Sequence, residues 1–366
     1  MIDRRLFTNI DWTLVVLVLV ISFIGIANIY SATTPYKISG TPYYFKQLNW
    51  MMFGLFVALM VSSVDYHILE DLSYWLYGFL VLLLIAVLLF GKRSMGATRW
   101  LHLGFFNVQP SELMKIVIIV TFGRFFARFQ VIGGMTVKDV LLPLAMLVIP
   151  AALIMKQPDL GTATLVILIA ISMTLYVGLH WTTIVTFVVV TIPLIWFGWA
   201  NLLHPYQKNR ILDFLNPERS RLGSGYHVIQ SKIAVGSGGL FGKGYIQGTQ
   251  SQLRFLPEQH TDFAFSVFAE EWGFIGCLLL IILYLSLVLW GLNIARRCND
   301  RFGSLLAVGV TSMLFWHIII NMGMVIGLFP VVGVPLPLFS YGGTSMITTM
   351  VGVGILQSIS MRRFMF

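Results

Sequence analysis

The sequence predicts an all-α polytopic membrane protein of about ten transmembrane helices, with one large extracytoplasmic loop between helices 7 and 8. Three observations predict it. The 366 residues are 57% hydrophobic and only 11% charged, less than half the roughly 25% charged share of a soluble domain. Ten apolar runs recur, most of them near the roughly 20 residues that a helical span requires: 12–32, 48–64, 73–91, 112–128, 140–156, 160–179, 181–200, 263–294, 303–329 and 340–361. One segment, 201–262, is instead polar and rich in glycine. The same composition excludes a water-soluble enzyme, a disordered chain and a disulfide-stapled secreted domain.

The basic start MIDRRLFTNIDW leads into an apolar run of full span length without a small-residue cleavage site. The first run therefore reads as a transmembrane helix, not a removed signal peptide. Spans two to seven follow at short intervals and spans eight to ten come after the polar segment. The chain, 1–366, reads as one integral membrane domain without an internal repeat.

Orientation follows from Lys and Arg, which gather in cytoplasmic loops. With both termini inside, that side carries Arg4, Arg5, Arg124, Arg128, Lys138, Arg296, Arg297, Arg301, Arg362 and Arg363, ten in all. The short outer loops carry six: Lys37, Lys46, Lys92, Arg93, Arg99 and Lys156. The expectation is a multi-pass protein of the cytoplasmic (inner) membrane with both termini cytoplasmic and 201–262 outside. Amphipathic stretches such as 226–233 argue for short helices at the interface. The net charge of +9 follows from the loop bias. No basic stripe interleaves with aromatics in a soluble module, so nucleic acid is not expected as a partner. Cys277 and Cys298 lie about a full span apart, too far for a disulfide.

Ionisable groups inside spans are expensive and are functional candidates. In Gln109-Pro110-Ser111-Glu112-Leu113-Met114-Lys115, Glu112 and Lys115 share one helix face and can pair. A plain helix start, with Ser111 as cap and Glu112 complementing the dipole, is equally compatible with the pattern. A lysine at a helix start opposes the dipole and must be held by something. Asp159, after Gln157 and Pro158, is placed as an N-cap, and the structural role outweighs the functional one. Glu270 and Glu271 are adjacent and cannot both face lipid, so one is expected in a polar interior.

The run 236–244 fails as a phosphate loop, because position 237 is Ser and Lys243 precedes Gly244. Its glycines permit tight turns, or let backbone N–H groups approach an anion. Zinc-protease and metal-nucleotide motifs are missing from the sequence. The most informative stretch is Phe255-Leu256-Pro257-Glu258-Gln259-His260-Thr261-Asp262-Phe263. Here a polar loop runs into an apolar helix and leaves Asp262 at its mouth, as an N-cap or as a reactive acid. His260 and Arg254 lie on the approach, and the loop brings Lys208, Arg210, Lys232 and Lys243. An acid among excess cations at a membrane surface suits an anionic, lipid-linked substrate. Gly323 and Gly327 form a small-xxx-small pair, for packing inside the bundle or against a partner helix.

These residues resemble the SEDS family (shape, elongation, division and sporulation). The matching stretches are FNVQPSELMK, KQPDLGT, QSKIAVGSGGLFGKGYIQGTQSQLRFLPEQHTDFAF, FAEEWG and GLFPVVGVPLPLFSYGGTS. They run from the fourth span to the tenth, and VVGVPLPLFSYGG is closer to the rod-shape branch than to the division branch. The resemblance implies a peptidoglycan glycosyltransferase that polymerises lipid II into glycan strands during cell elongation and shape maintenance. It implies Asp262 as catalytic aspartate, and Gln109, Pro110, Ser111, Glu112, Lys115 and Asp159 as polar cavity residues. The implied partners are a single-pass class B penicillin-binding protein (a transpeptidase), docking near spans eight and nine, and other elongation-complex proteins. Trp272 departs from the pattern, where Leu or Phe is more usual, with no functional consequence expected.

The chemistry agrees with that reading. An outer-face site has no nucleotide supply, so the energy must travel in the substrate, as in a lipid pyrophosphate. Forming a β-1,4 bond from an α-linked donor inverts the anomeric carbon, and one base, Asp262, suffices. The departing pyrophosphate needs cations, for which Lys115, Arg210 and Lys232 are the candidates. No cofactor is certain; a divalent cation, Mg or Mn, is the one alternative source of charge, with unknown ligands. The rival is a lipid II flippase or other transporter of lipid-linked precursors, with Glu112, Lys115 and Asp159 along its pathway. A carrier needs access from both faces, whereas these polar groups gather at one. A scaffold would not need cations around an acid.

Overall fold

The computed structural model describes residues 9–35, 40–94, 97–102, 107–129, 133–202, 205–216, 224–256 and 258–363. Arg4, Arg5, Lys37 and Pro257, which entered the sequence argument, lie outside them. Ten long helices answer the ten apolar runs: α1 (Trp12–Thr33), α2 (Tyr43–Ser63), α3 (His67–Phe90), α4 (Pro110–Arg128), α5 (Val137–Lys156), α6 (Leu160–Val177), α7 (Trp181–Phe197), α11 (Ala264–Arg297), α12 (Arg301–Val325) and α13 (Gly343–Arg362). Between α7 and α11, after one π turn (Gly198–Leu202), the described residues form three short helices: α8 (Pro205–Leu215), α9 (Ser224–Ser237) and α10 (Thr249–Gln252). Local signals set many of the starts. Asp11 caps α1 and Asp300 caps α12, and Thr136 with Asp139 forms a capping box on α5.

Nine of the ten are long and apolar enough to cross a membrane, α7 together with the π turn that carries it to Asn201. The tenth, α4, carries Glu112, Lys115, Arg124 and Arg128 yet buries 14 of its 19 residues, because it runs through the centre between α3, α6 and α12. Helices α12 and α13 are also buried on most sides. Close packing there depends on small residues: a Cβ on Gly354 of α13 would lie 2.7 Å from the Ala58 carbonyl oxygen of α2. Around this centre, α2, α3, α7 and α11 expose large apolar side chains such as Phe56, Leu82, Val188 and Phe274. Such a surface suits lipid and not water.

Two features were not legible in the sequence. A three-stranded antiparallel sheet, β1 (Lys92–Ser94), β2 (Ala97–His102) and β3 (Asn107–Val108), joins α3 to α4. Its strands are too short for a two-residue period to register. The second is a break in α11 at Gly273, which has φ 63° and ψ −160°, a conformation open only to glycine.

The glycine run 236–244 docks into that break. Phe274 N–H donates to the Gly239 carbonyl (2.9 Å) and Ile275 N–H to that of Leu240 (3.1 Å). In return Lys243 N–H donates to the Glu270 carbonyl (3.1 Å) and Gly244 N–H to that of Glu271 (3.0 Å). Backbone groups that a break would orphan are thus paired. A Cβ on Gly242 would collide with the Glu271 carbonyl oxygen. The run is a plug for a broken helix, and the N–H groups of Lys243 and Gly244 are taken up by carbonyls, not offered to an anion.

The break also corrects the expectation for the paired acids, since both are buried. Glu270 accepts from Lys243 Nζ (2.7 Å), Thr249 Oγ1 (3.2 Å) and the N–H groups of Gln250 (3.0 Å) and Ser251 (3.3 Å). Glu271 accepts from Ser31 Oγ on α1. Each acid has its own polar surroundings because the docked loop lies on one side and α1 on the other. The glycine pair at the end of α12, with Gly323 inside it and Gly327 just beyond, is filled from within: a Cβ would meet Phe329 at Gly323 and the Lys232 side chain at Gly327. Neither offers a groove to a partner helix.

Candidate active site

Four helices begin around one cavity of about 420 Å³. Gln109 is the N-cap position of α4, Asp159 that of α6 and Gly342 that of α13, while Asp262 precedes α11. All four line the cavity, with Glu112, Arg210 of α8, Glu258, Tyr341 and Trp100 of β2. Of the residues singled out in the sequence, Gln109, Glu112, Asp159, Arg210 and Asp262 are brought together here. Ser111 and Lys115 lie buried behind the wall. Lys232 is not among the lining residues; its side chain crosses Gly327.

Asp262 is half-buried, and α11 starts at Ala264 with Phe263 in the N-cap position. Asp262 thus stands one residue outside the cap. Its backbone is pinned by Asn321 of α12, whose Nδ2 donates to the Asp262 carbonyl (3.0 Å) and the Val334 carbonyl (2.7 Å). Beside its carboxylate runs Gly333, with φ +73°, where a Cβ would lie 3.3 Å from Asp262 Oδ2. Glycine supplies that backbone and keeps the flank of the carboxylate clear.

Asp159 is a true N-cap. Oδ1 accepts from Thr162 N–H (3.3 Å) and Oδ2 from Thr162 Oγ1 (3.0 Å), Gln109 Nε2 (2.9 Å) and Ser111 Oγ (3.4 Å). Both oxygens are engaged, tying the start of α6 to the start of α4. Glu112 pairs through Oε1 with Lys115 Nζ at 2.9 Å. Arg210 Nη1 donates to the Val331 carbonyl at 3.0 Å.

The expected excess of cations around Asp262 is not what the structure gives. Among the described lining residues, Glu112, Asp159, Glu258 and Asp262 face one guanidinium, that of Arg210. Lys208 donates to the Ala200 carbonyl, Lys243 to Glu270 and Arg254 to the Pro35 carbonyl. Burial holds the His260 imidazole below its usual pKa, and burial together with nearby Arg210 does the same for His227. Both rings therefore lean toward the uncharged form. His260 packs on Tyr43 (4.5 Å between ring centroids) and Tyr341 (5.7 Å). The four helix N-termini, each worth about half a positive charge, offset part of the negative charge of those acids, and the one at α6 is already met by Asp159.

His317 and Asn321, which hold the wall from behind, escaped the sequence reading. Their signal was available: two polar residues four apart in an apolar span share a face and seldom point at lipid. Trp100 had no such signal, because the sheet that carries it was not legible.

Fold and cavity together define a polytopic helical membrane protein whose polar site lies at one end of the bundle, where helix starts converge. The family of cell cycle proteins FtsW, RodA and SpoVE matches residues 11–364, and the chain belongs to that family. It is 44% identical over 323 residues to the peptidoglycan glycosyltransferase MrdB of Escherichia coli (strain K12), over 87% of this chain and 86% of that one. Among solved structures it resembles a chain of a peptidoglycan synthase complex that coordinates polymerization and crosslinking. That likeness has TM-score 0.84 and 32% identity, over 98% of this chain and 99% of the other. The rod shape determining protein RodA of Thermus thermophilus aligns with TM-score 0.71 and 30% identity, over 97% and 98%.

Proposed function

We propose that this chain is a peptidoglycan glycosyltransferase that polymerises lipid II on the outer face of the cytoplasmic membrane, with Asp262 as general base. The observation that carries the reading is the place of Asp262. It lines a cavity walled by four helix starts and stands one residue before the N-cap position of α11. The acceptor hydroxyl attacks the anomeric carbon in line. As the new C–O bond forms, the bond to the pyrophosphate oxygen breaks and the hydroxyl proton passes to Asp262. Arg210 and the helix N-termini receive the charge that builds on the leaving pyrophosphate. Asp159, Gln109 and Ser111 fix the wall, and Lys232 lies outside the lining of the cavity.

A divalent cation, Mg or Mn, finds no assembled ligand set here. No group of three or more His, Cys, Asp or Glu is placed to hold a metal among the described residues. Asp159 has both oxygens bonded, and Glu112 has one on Lys115. A lipid II flippase would need a polar path through the bundle, but below Lys115 α4 continues with Ile118, Ile119 and Phe122, buried among apolar neighbours.

Purified protein incubated with lipid II, alone and with a single-pass class B penicillin-binding protein, should yield glycan strands. No polymer in either reaction would overturn the reading. We place that partner, within an elongation complex, on the exposed apolar face of α11 that carries Phe274, Ile282 and Leu285. Sidedness has its own test. A cysteine at Ser220, which lies outside the described residues, should react with an impermeant reagent in intact cells with a permeabilised outer membrane. Reaction only after lysis would invert the topology.

A further inference from the structure

Lys115 is 1% exposed, near the start of α4, where a cation opposes the helix dipole. Buried away from water, its protons need acceptors, and two are present. Nζ lies 2.9 Å from Glu112 Oε1 and 2.8 Å from His317 Nε2 on α12. His317 Nδ1 lies 2.7 Å from the Met313 carbonyl oxygen. A carbonyl can only accept, so Nδ1 carries the ring proton and Nε2 offers its lone pair to the ammonium. A doubly protonated ring would set an N–H against that ammonium.

The chain of contacts ends at the cavity. Glu112 lines it and is 6% exposed. With Oε1 taken by Lys115, the other oxygen, Oε2, is buried with no hydrogen-bond partner among the described residues. An ionised carboxylate only accepts, and leaving such an acceptor unmatched is costly. What matches it is an O–H or N–H donor from the occupant of the cavity.

We propose that His317 is a positioning residue: acting through Lys115, it orients Glu112 so that Oε2 accepts a hydrogen bond from the sugar portion of the bound substrate. This rests on the glycosyltransferase reading above and adds to it the group that recognises the neutral sugar, as distinct from the pyrophosphate.

The full-length protein and lipid II supply the test. His317→Phe keeps the ring volume and removes the acceptor. Its kcat/KM should fall by on the order of 10- to 10²-fold, the scale of a small displacement of a positioned group. His317→Gln restores an acceptor near the place of Nε2 and should return most of the activity. In a Lys115→Met background, His317→Phe should lower activity no further, because both act on one oxygen of Glu112. Full activity of His317→Phe, a Gln variant no better than the Phe variant, or losses that multiply would each overturn the proposal. Where His317→Phe lowers the unfolding temperature, the Gln variant and the double variant decide. A wild type inactive on lipid II would sink the underlying reading, whereas an active wild type with the wrong variant pattern sinks only this one.

Discussion

Asp262→Asn should reduce polymerisation of lipid II by about 10²–10⁴-fold, the usual loss when a general base is removed, while the protein still folds and inserts. Asn matches Asp in size and is nearly its equal as a capping residue, so a structural Asp262 would tolerate the change. The structure strengthens the contrast, because the cap position belongs to Phe263 and Asn321 grips the Asp262 carbonyl, not its carboxylate. The amide preserves that grip and removes the proton acceptor. Strand formation by gel, with thermal unfolding in detergent as control, measures both. Near-normal polymer from a folded variant would end the catalytic assignment. Movement of lipid II across vesicles that survives the substitution, in a wild type that makes no polymer, would favour a carrier.

Lys243→Met should destabilise the protein by about 3–5 kcal/mol, the scale of breaking a buried ion pair from one side. Glu270 is fully buried, and Lys243 is its charge partner at 2.7 Å with only 27% of its side chain exposed. The two backbone N–H donors to Glu270 soften the loss toward the lower figure. Adding Glu270→Gln to the Lys243→Met chain should recover much of the stability, since no lone carboxylate then remains. Unfolding midpoints in detergent read the series. A substrate-binding lysine would give the opposite pattern: unchanged midpoints, lost activity and no rescue. That outcome would add Lys243 to Lys115, Arg210 and Lys232 as a candidate cation for the pyrophosphate.

Much of the fold was legible because burial in a bilayer writes long apolar runs, and all ten helices fall on the runs that announced them. Differences sit at the first turns of α2 and α3, where Lys46 and Glu70 are helical without being apolar. The site was legible in part, for a physical reason. Asp262, Asp159, Glu112 and Gln109 stand next to prolines or at polar-to-apolar junctions, and such junctions become helix starts that converge. What composition could not give was the partner of each charge. Lys243 and Arg254 looked available to a substrate because pairing with Glu270 or the Pro35 carbonyl needs the loop to fold back. His317 carries a local signal, a polar residue four before Asn321 in an apolar span, but its role lies in Lys115, 202 positions away.

The break at Gly273 separates two tasks that one rod would have had to combine. Unbroken, 34 residues would make a rod of about 51 Å, far more than the roughly 30 Å of hydrocarbon it has to cross. Residues 274–297 alone reach about 36 Å and can answer a thicker or thinner bilayer by tilting. Residues 264–272 are clasped by the glycine run and by α1 through Ser31. The same run also holds Phe274 and Ile275, so the two halves are locked at one angle, and the carboxylate at the mouth of α11 takes its position from the loop and α1 as well as from the lipid-crossing rod.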